Sequence, residues 1–528
     1  MYRLLKNPIW LKTLVIFILT LGIFFRFINL DKKIYWGDET FTSLRLSGYT
    51  TEEVNSQLFD GRIVTIEDIQ KYQRTNSQKD FTDTIKGLAL EEPQLPPLYF
   101  LIARFWLKLF GNSIAVTRSI SALISLLIFP CTYWLCLELF GSSLVGWIAM
   151  AIMAVSPFNV LYAQEARPYS LWAVTIVLSN ASFLRALRLK TKLSWLLYGI
   201  TMTLGLYTYL LSILVAIGNG LYVLVIERFR FTKTVIAYII ASLLAILAFF
   251  PWILAIIVNF HSFRETSKWA FETMPISNVI QEWMRNISYS FMDFWYFFTY
   301  FPDSKFNLSF GTYLIPLLLI LVGYSVYFIC RETPPKISVF ILTLMGANSL
   351  PLILSDLLSG GYRSIMARYF FPCYIGIYLS VAYLFARKIN SRLFITNLWK
   401  LSFLALLMGG IISFSVSSQL ETWWTKRTLD HVIVPRLINQ TSHPLLILEN
   451  SIPMVASLSY LLNSDVDFQF IKTKQLPIVP NKFSNVFLLE SPKFPVNKFE
   501  EEQKMKGKLV YKGRKQNLWK LEKNSGIK

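Results

Sequence analysis

The sequence predicts a mostly α-helical, polytopic membrane bundle of about eleven spans followed by a small α/β domain. Three observations predict it. Of 528 residues, 54% are apolar and only 16% charged, whereas soluble domains average about 25% charged. Apolar runs of near-spanning length recur up to residue 417, separated by short polar loops. Beyond 417 the apolar runs shorten to strand length and alternate with turn residues. This pattern argues against a disordered chain, a disulfide scaffold or a soluble enzyme.

The first run follows Arg3, Lys6 and Lys12 and reaches Leu30. It is longer than a signal-peptide core and has no small-residue cleavage site, so it reads as an uncleaved first span. Further spans are expected at about 117–139, 143–162, 170–188, 194–209, 211–226, 235–258, 311–330, 337–356, 368–386 and 398–417. The stretch 194–226 carries Gly205, Gly218 and Gly220 and could be a broken helix. Residues 95–110 are apolar but short, with Arg104 and Lys108 one turn apart, so an amphipathic helix lying at the interface is expected there.

Lysine and arginine test the topology. With 95–110 lying flat, one set of loops carries Arg185, Arg188, Lys190, Lys192, Arg228, Arg230, Lys233, Arg331, Lys336, Arg387, Lys388 and Arg392. The other short loops hold little beyond Arg167 and Arg363. The positive-inside rule then places the N-terminus in the cytoplasm. Outside lie a first loop (31–116), a tight loop around 162–169, a loop at 259–310 and the tail. The formal charge of +20 fits anionic lipid at the inner leaflet, and no nucleic-acid partner is expected. The expected division is a membrane domain over 1–417, including the first outer loop, and an extracytoplasmic domain over 418–528. Within the latter, strands are expected at 445–448, 467–471, 486–489, 509–511 and 518–521, with a helix at 453–462 and a turn at Gly513-Arg514-Lys515.

Four segments on the outer side could carry chemistry. Trp36-Gly37-Asp38-Glu39-Thr40 places two carboxylates just past the first span. They are costly near lipid unless solvated or used; alternatively Asp38 caps a helix and Glu39 meets its dipole. Gln164-Glu165-Ala166-Arg167-Pro168-Tyr169 is a tight interspan loop. Arg167 offers a planar fork for phosphate, or it pairs locally with Glu165. Glu91-Glu92-Pro93-Gln94-Leu95-Pro96-Pro97-Leu98-Tyr99 opens the short helix. Tyr362-Arg363-Ser364 and Arg368-Tyr369 start a late span, where arginine can snorkel or bind an anion. A transporter would place its polar residues nearer mid-membrane. The four cysteines and three histidines show no zinc spacing.

In their order and spacing these segments resemble the GT-C membrane glycosyltransferases, in particular the branch of protein O-mannosyltransferases and lipid A aminoarabinose transferases. The resemblance covers about residues 8–390. It rests on Gly37-Asp38-Glu39, Pro96-Pro97-Leu98-Tyr99, Gln164-Glu165-Ala166-Arg167-Pro168-Tyr169 and Arg368-Tyr369. It implies a GT-C fold, a polyprenyl-phosphate-linked sugar donor, and an acceptor that is glycan, lipid or protein. It implies catalytic carboxylates at Asp38 and Glu39, with donor and substrate binding by Glu165, Arg167, Tyr169, Arg368 and Tyr99. Related sequences often carry histidine before the Pro-Pro pair; here that residue is Leu95, so no cofactor is assigned and a divalent metal stays an open alternative without a residue to support it. The expected reaction is single displacement with inversion, Asp38 acting as base and Arg167 facing the lipid phosphate. The rival expectation is a transporter or flippase of lipid-linked sugars.

Overall fold

The computed structural model describes residues 9–293, 305–390, 396–423, 426, 430–471, 476–492, 494–503, 505–513 and 516–523. Arg3, Lys6, Arg392, part of the 259–310 loop and the Arg514-Lys515 turn lie outside them. The chain packs as two compact units: 1–30, 88–99 and 118–419 form one; 31–87, 100–117 and 420–528 form the other.

Each expected span coincides with helix. Among the described residues, eight helices are long and apolar enough to cross a membrane, or nine if the bent pair Ser143–Val155 and Pro157–Ala163 is one span. The chain is a multi-pass membrane protein. Lys192–Thr208 and Ser212–Ile226 are shorter, at 17 and 15 residues, and the break expected within 194–226 falls at Tyr209–Leu211, between them. Helices Tyr169–Leu189 and Phe371–Ile389 are buried along most of their length, while Lys233–Val258 exposes Ile236, Ile240, Leu243 and Leu247. Exposed aliphatic side chains on long helices are what lipid requires.

The 64° bend between Val155 and Pro157 has an identifiable cause. Pro157 has no N–H, so the Met153 carbonyl four residues earlier loses its intrahelical donor. Ser156 restarts the helix as N-cap, its hydroxyl accepting from Asn159 N at 3.3 Å. Arg26, fully buried in the first span, donates to the Met153 and Ala154 carbonyls at 3.2 and 2.9 Å and to Ser125 Oγ at 3.1 Å. Two glycines permit the approach. A Cβ on Gly22 would sit 2.7 Å from Ala154 O, and one on Gly410 would sit 2.5 Å from Val155 O. Arg26→Met strips the donors from both carbonyls and should destabilise the protein by roughly 2–6 kcal/mol, at about 1–3 for each buried group left unsatisfied. A thermal midpoint in detergent equal to that of the parent protein would refute this role.

The second unit is built on a six-stranded sheet in the order β1-β3-β2-β4-β6-β5. Its strands are β1 (Ile63–Val64), β2 (Leu445–Glu449), β3 (Asp467–Ile471), β4 (Val486–Leu489), β5 (Met505–Tyr511) and β6 (Leu518–Lys523). The five strands expected in the tail are present, with β2 parallel to both β3 and β4. The sixth, β1, comes from the first outer loop and pairs antiparallel with β3, Ile63 opposite Gln469 and Val64 opposite Phe468. The tail's compact unit therefore takes in most of the first outer loop, residues 31–87 and 100–117. Both sheet faces are apolar, in strict alternation. Leu446, Leu448, Phe468 and Phe470 pack with Leu44, Val54, Ile66, Ile69, Val455 and Leu458 on one face. Leu445, Ile447, Val486 and Leu488 pack with Val496 and Phe499 on the other. Each such side chain contributes about 1.5–3 kcal/mol when fully buried, which favours this register over a one-residue slip.

The helix expected at 95–110 runs Leu98–Phe110, immediately after Pro96-Pro97. Its 13 residues rise only about 20 Å, too little to span. Arg104, one turn before Lys108, is 4% exposed and donates to the carbonyls of Leu46 and Lys79 and to Thr84 Oγ1. Phe105, Leu109 and Phe110 are exposed instead. The buried guanidinium satisfies carbonyls of the 46–79 segment, which cost more if left unmet than one long side chain costs to bury.

Candidate active site

The expected site residues fall into the two units. Asp38 and Glu39 belong to the sheet-containing unit, at the start of helix Gly37–Ser47. The N-cap is Trp36, not Asp38, so Asp38 occupies the second helical position and Glu39 the third. Glu39 reaches back to Trp36 N at 3.4 Å. Its carboxylate is wholly buried and pairs with Lys426 Nζ at 3.1 Å, the lysine being 2% exposed. Lys426 also lies over the Trp36 ring, 5.8 Å from its centroid. Glu39 thus ties the helix start to the tail, while Asp38 remains half-buried. Lys426→Met removes the ammonium from beside a buried carboxylate and should cost about 3–5 kcal/mol. Adding Glu39→Gln should recover most of that loss in unfolding measurements. Losses that simply add would show the two groups to be uncoupled.

Glu165, Arg167, Tyr169, Arg368 and Tyr99 belong to the helical unit. The loop between Pro157–Ala163 and Tyr169–Leu189 is held on several sides. Gln164 Nε2 donates to Phe25 O and Ile28 O, both at 2.8 Å, satisfying carbonyls at the C-terminal end of the first span. Ser170 Oγ donates to Tyr162 O at 2.8 Å. Arg167 N–H closes a three-residue turn onto Glu165 O at 2.7 Å. Tyr99, fully buried, shares a 2.8 Å hydrogen bond with Ser121 Oγ, which reaches Arg167 O at 3.5 Å. Tyr99 is thus linked to the loop backbone through Ser121.

Arg167 and Arg368 converge. Their guanidinium carbons lie 5.9 and 5.8 Å from the centroid of one ring, Tyr169, within cation–π range. Arg368 also lies 5.5 Å from Tyr369. The surrounding walls are aromatic: Tyr162 and Tyr209 stand 5.2 and 5.8 Å from Tyr169, and Tyr369 stands 6.3 Å from both Tyr209 and Trp269. Glu165 is 1% exposed and Arg167 6%. Two permanently charged forks thus meet at one ring, with the buried Glu165 carboxylate in the same loop; a planar guanidinium matches the oxygens of a carboxylate or a phosphate. Arg363 takes a different part: its Nε lies 3.3 Å from the buried Asp356 carboxylate, which also accepts from Ser364 N. Gln94 accepts from Thr266 Oγ1 at 3.0 Å, and Trp252 Nε1 donates to Pro93 O at 3.0 Å. Leu95 is packed away at 6% exposure. Among the described residues, no group of three or more His, Cys, Asp or Glu could hold a metal ion.

Sequence reasoning missed Arg26, Ser121, Tyr209 and Lys426. A charge in the last turn of an apolar span was the available signal for Arg26, because such a charge needs a partner. The other three depend on contacts with no local signature.

The fold places the chain among membrane proteins of the GT-C type. The structure of ArnT from Cupriavidus metallidurans bound to undecaprenyl phosphate superposes with a TM-score of 0.52 at 13% identity, covering 96% of this chain and 98% of that one. Its apo form gives 0.51 at 12% identity over the same shares. The oligosaccharyltransferase AglB from Archaeoglobus fulgidus gives 0.47 at 10% identity, covering 86% of this chain and 65% of its own. Residues 94–254 match the sequence model of the family described as dolichyl-phosphate-mannose-protein mannosyltransferase. That match takes in Pro96-Pro97 and residues 164–169 and leaves out Asp38 and Arg368. No curated protein matches by sequence.

Proposed function

We propose that this chain is an integral-membrane glycosyltransferase that moves a hexosyl or pentosyl group from a polyprenyl-phosphate donor to a glycan, lipid or protein acceptor at the outer face of the cell membrane. The observation that carries the reading is the convergence of Arg167 and Arg368 on Tyr169. As the glycosidic bond breaks, negative charge grows on the lipid phosphate, and two fixed guanidiniums stabilise that charge more than they stabilise the ground state. Bound undecaprenyl phosphate in the ArnT structure supports the donor class. The acceptor hydroxyl is a weak nucleophile and needs a base. Asp38, half-buried at the second position of its helix, takes that role. Glu165 orients the arginine loop, and one displacement inverts the anomeric centre.

Mass spectrometry of glycans and lipids from deletion and complemented cells tests the reading: a sugar missing only in the deletion names the product. Purified protein in proteoliposomes separates it from a flippase. Donor crossing the bilayer with no product formed would favour transport.

The sidedness belongs to the same proposal, with the N-terminus cytoplasmic and residues 418–528 extracytoplasmic. Ser484 is exposed, so Ser484→Cys in a background lacking the native cysteines should react with an impermeant thiol reagent in intact spheroplasts. Labelling confined to lysed cells would invert the topology.

A further inference from the structure

A groove of about 670 Å³ opens between helices Lys192–Thr208 and Lys233–Val258, within the roughly 300–1,000 Å³ range of small-molecule sites. Small residues create it: Gly199, Ala237, Ala241, Ala245 and Ala248 line its length. Two contacts fix the relative direction of its walls. Gly199 lies against Ala241, whose carbonyl would be 3.4 Å from an added Cβ. Tyr207 OH donates to Ala248 O at 2.9 Å. Both helices advance together through these contacts, so they run parallel and their N-termini share one end.

That end is basic. Lys192 and Lys233 are the first residues of their helices, and Lys190 closes the preceding helix in left-handed conformation at φ 55°. All three line the groove and are exposed, and among the described residues no carboxylate forms an ion pair with any of them. Thr191 and Thr232 each cap one first-turn N–H, accepting from Ser194 N and Val235 N. The remaining first-turn donors and both helix dipoles add partial positive charge there. The lysine end and the Arg167 loop lie at opposite ends of helix Tyr169–Leu189, whose 21 residues measure about 31 Å.

We infer that this groove binds one anionic phospholipid, its phosphate held by Lys190, Lys192 and Lys233 and an acyl chain laid along the alanine floor. A channel that is charged at one end and apolar along its length matches an amphiphile. Three lysines with no carboxylate partner select a negative headgroup over a zwitterionic one. The site is separate from the Arg167 loop and does not depend on the transferase reading.

Native mass spectrometry of the detergent-purified full chain, titrated with dioleoylphosphatidylglycerol or dioleoylphosphatidylcholine, tests this. The anionic lipid should bind about tenfold or more tightly. The Lys190→Gln/Lys192→Gln/Lys233→Gln variant should lose that preference. Ala237→Trp, or Ala248→Phe at a more exposed lining position, should abolish the adduct while leaving the thermal midpoint unchanged. Free glycerol phosphate should not compete. Equal binding of the two lipids, or a preference that survives the lysine changes, would overturn the inference. So would a preference lost with the lysines but indifferent to both filling variants, since that describes a bare charged surface. Competition by glycerol phosphate would reassign the site to a headgroup alone, and a dimer in place of the lipid adduct, lost on filling, would give the groove to a second copy.

Discussion

Asp38→Asn should lower turnover by about 10²–10⁴-fold, the usual contribution of a general base, while donor binding survives. The substitution keeps the shape of the side chain and removes its capacity to accept a proton. It also leaves the Trp36 cap and the Glu39–Lys426 pair in place, so a fall in rate with an unchanged unfolding midpoint isolates chemistry from folding. Steady-state rates and donor affinity, measured on the same preparation, separate the two effects. Near-normal turnover in well-folded protein would remove Asp38 as base and move the assignment to Glu39 or Glu165.

Arg167→Lys should fail to rescue activity and should weaken donor binding together with rate. Lysine restores the charge but not the planar, multi-donor fork that matches phosphate oxygens. Loss of a donor aimed at developing charge costs about 10²–10³-fold in rate where such donors have been removed elsewhere. Arg368→Lys should behave alike if both guanidiniums address one anion, and the double variant should then fall short of the product of the two single losses. Full additivity would mean that the arginines serve different groups. A Lys variant with parental donor affinity would show that Arg167 does not contact the phosphate.

The spans were legible because each is a local statement: about twenty apolar residues can satisfy their backbone only as helix in lipid. The strands from β2 to β6 were legible for a similar reason, as short alternating runs between turns. The candidate loop stood out as a tight polar turn with Glu165 and Arg167 between two spans, which the residues alone read equally as an anion site or as a local ion pair. What stayed hidden were long side chains acting at a distance. Arg104 read as an interfacial charge but serves buried carbonyls from the 46–79 segment. Arg26 meets carbonyls more than a hundred residues away. β1 is two residues long, too short for any alternation to register. Glu39's partner was equally hidden: Lys426 lies 387 residues away, and no local pattern announces the pair.

The pairing of β1 with β3 has a consequence for biosynthesis. Ile63 and Val64 leave the ribosome about 400 residues before their partners, a delay of roughly 20–80 s at ordinary elongation rates. During that interval the first outer loop lacks β3, and the Glu39 carboxylate lacks Lys426. The loop that carries the proposed base can therefore reach its final packing only after nearly the whole chain has been inserted. Nascent chains stalled before residue 426 should leave this loop open to proteases that spare it in the finished protein, which makes late tail docking a built-in checkpoint on maturation.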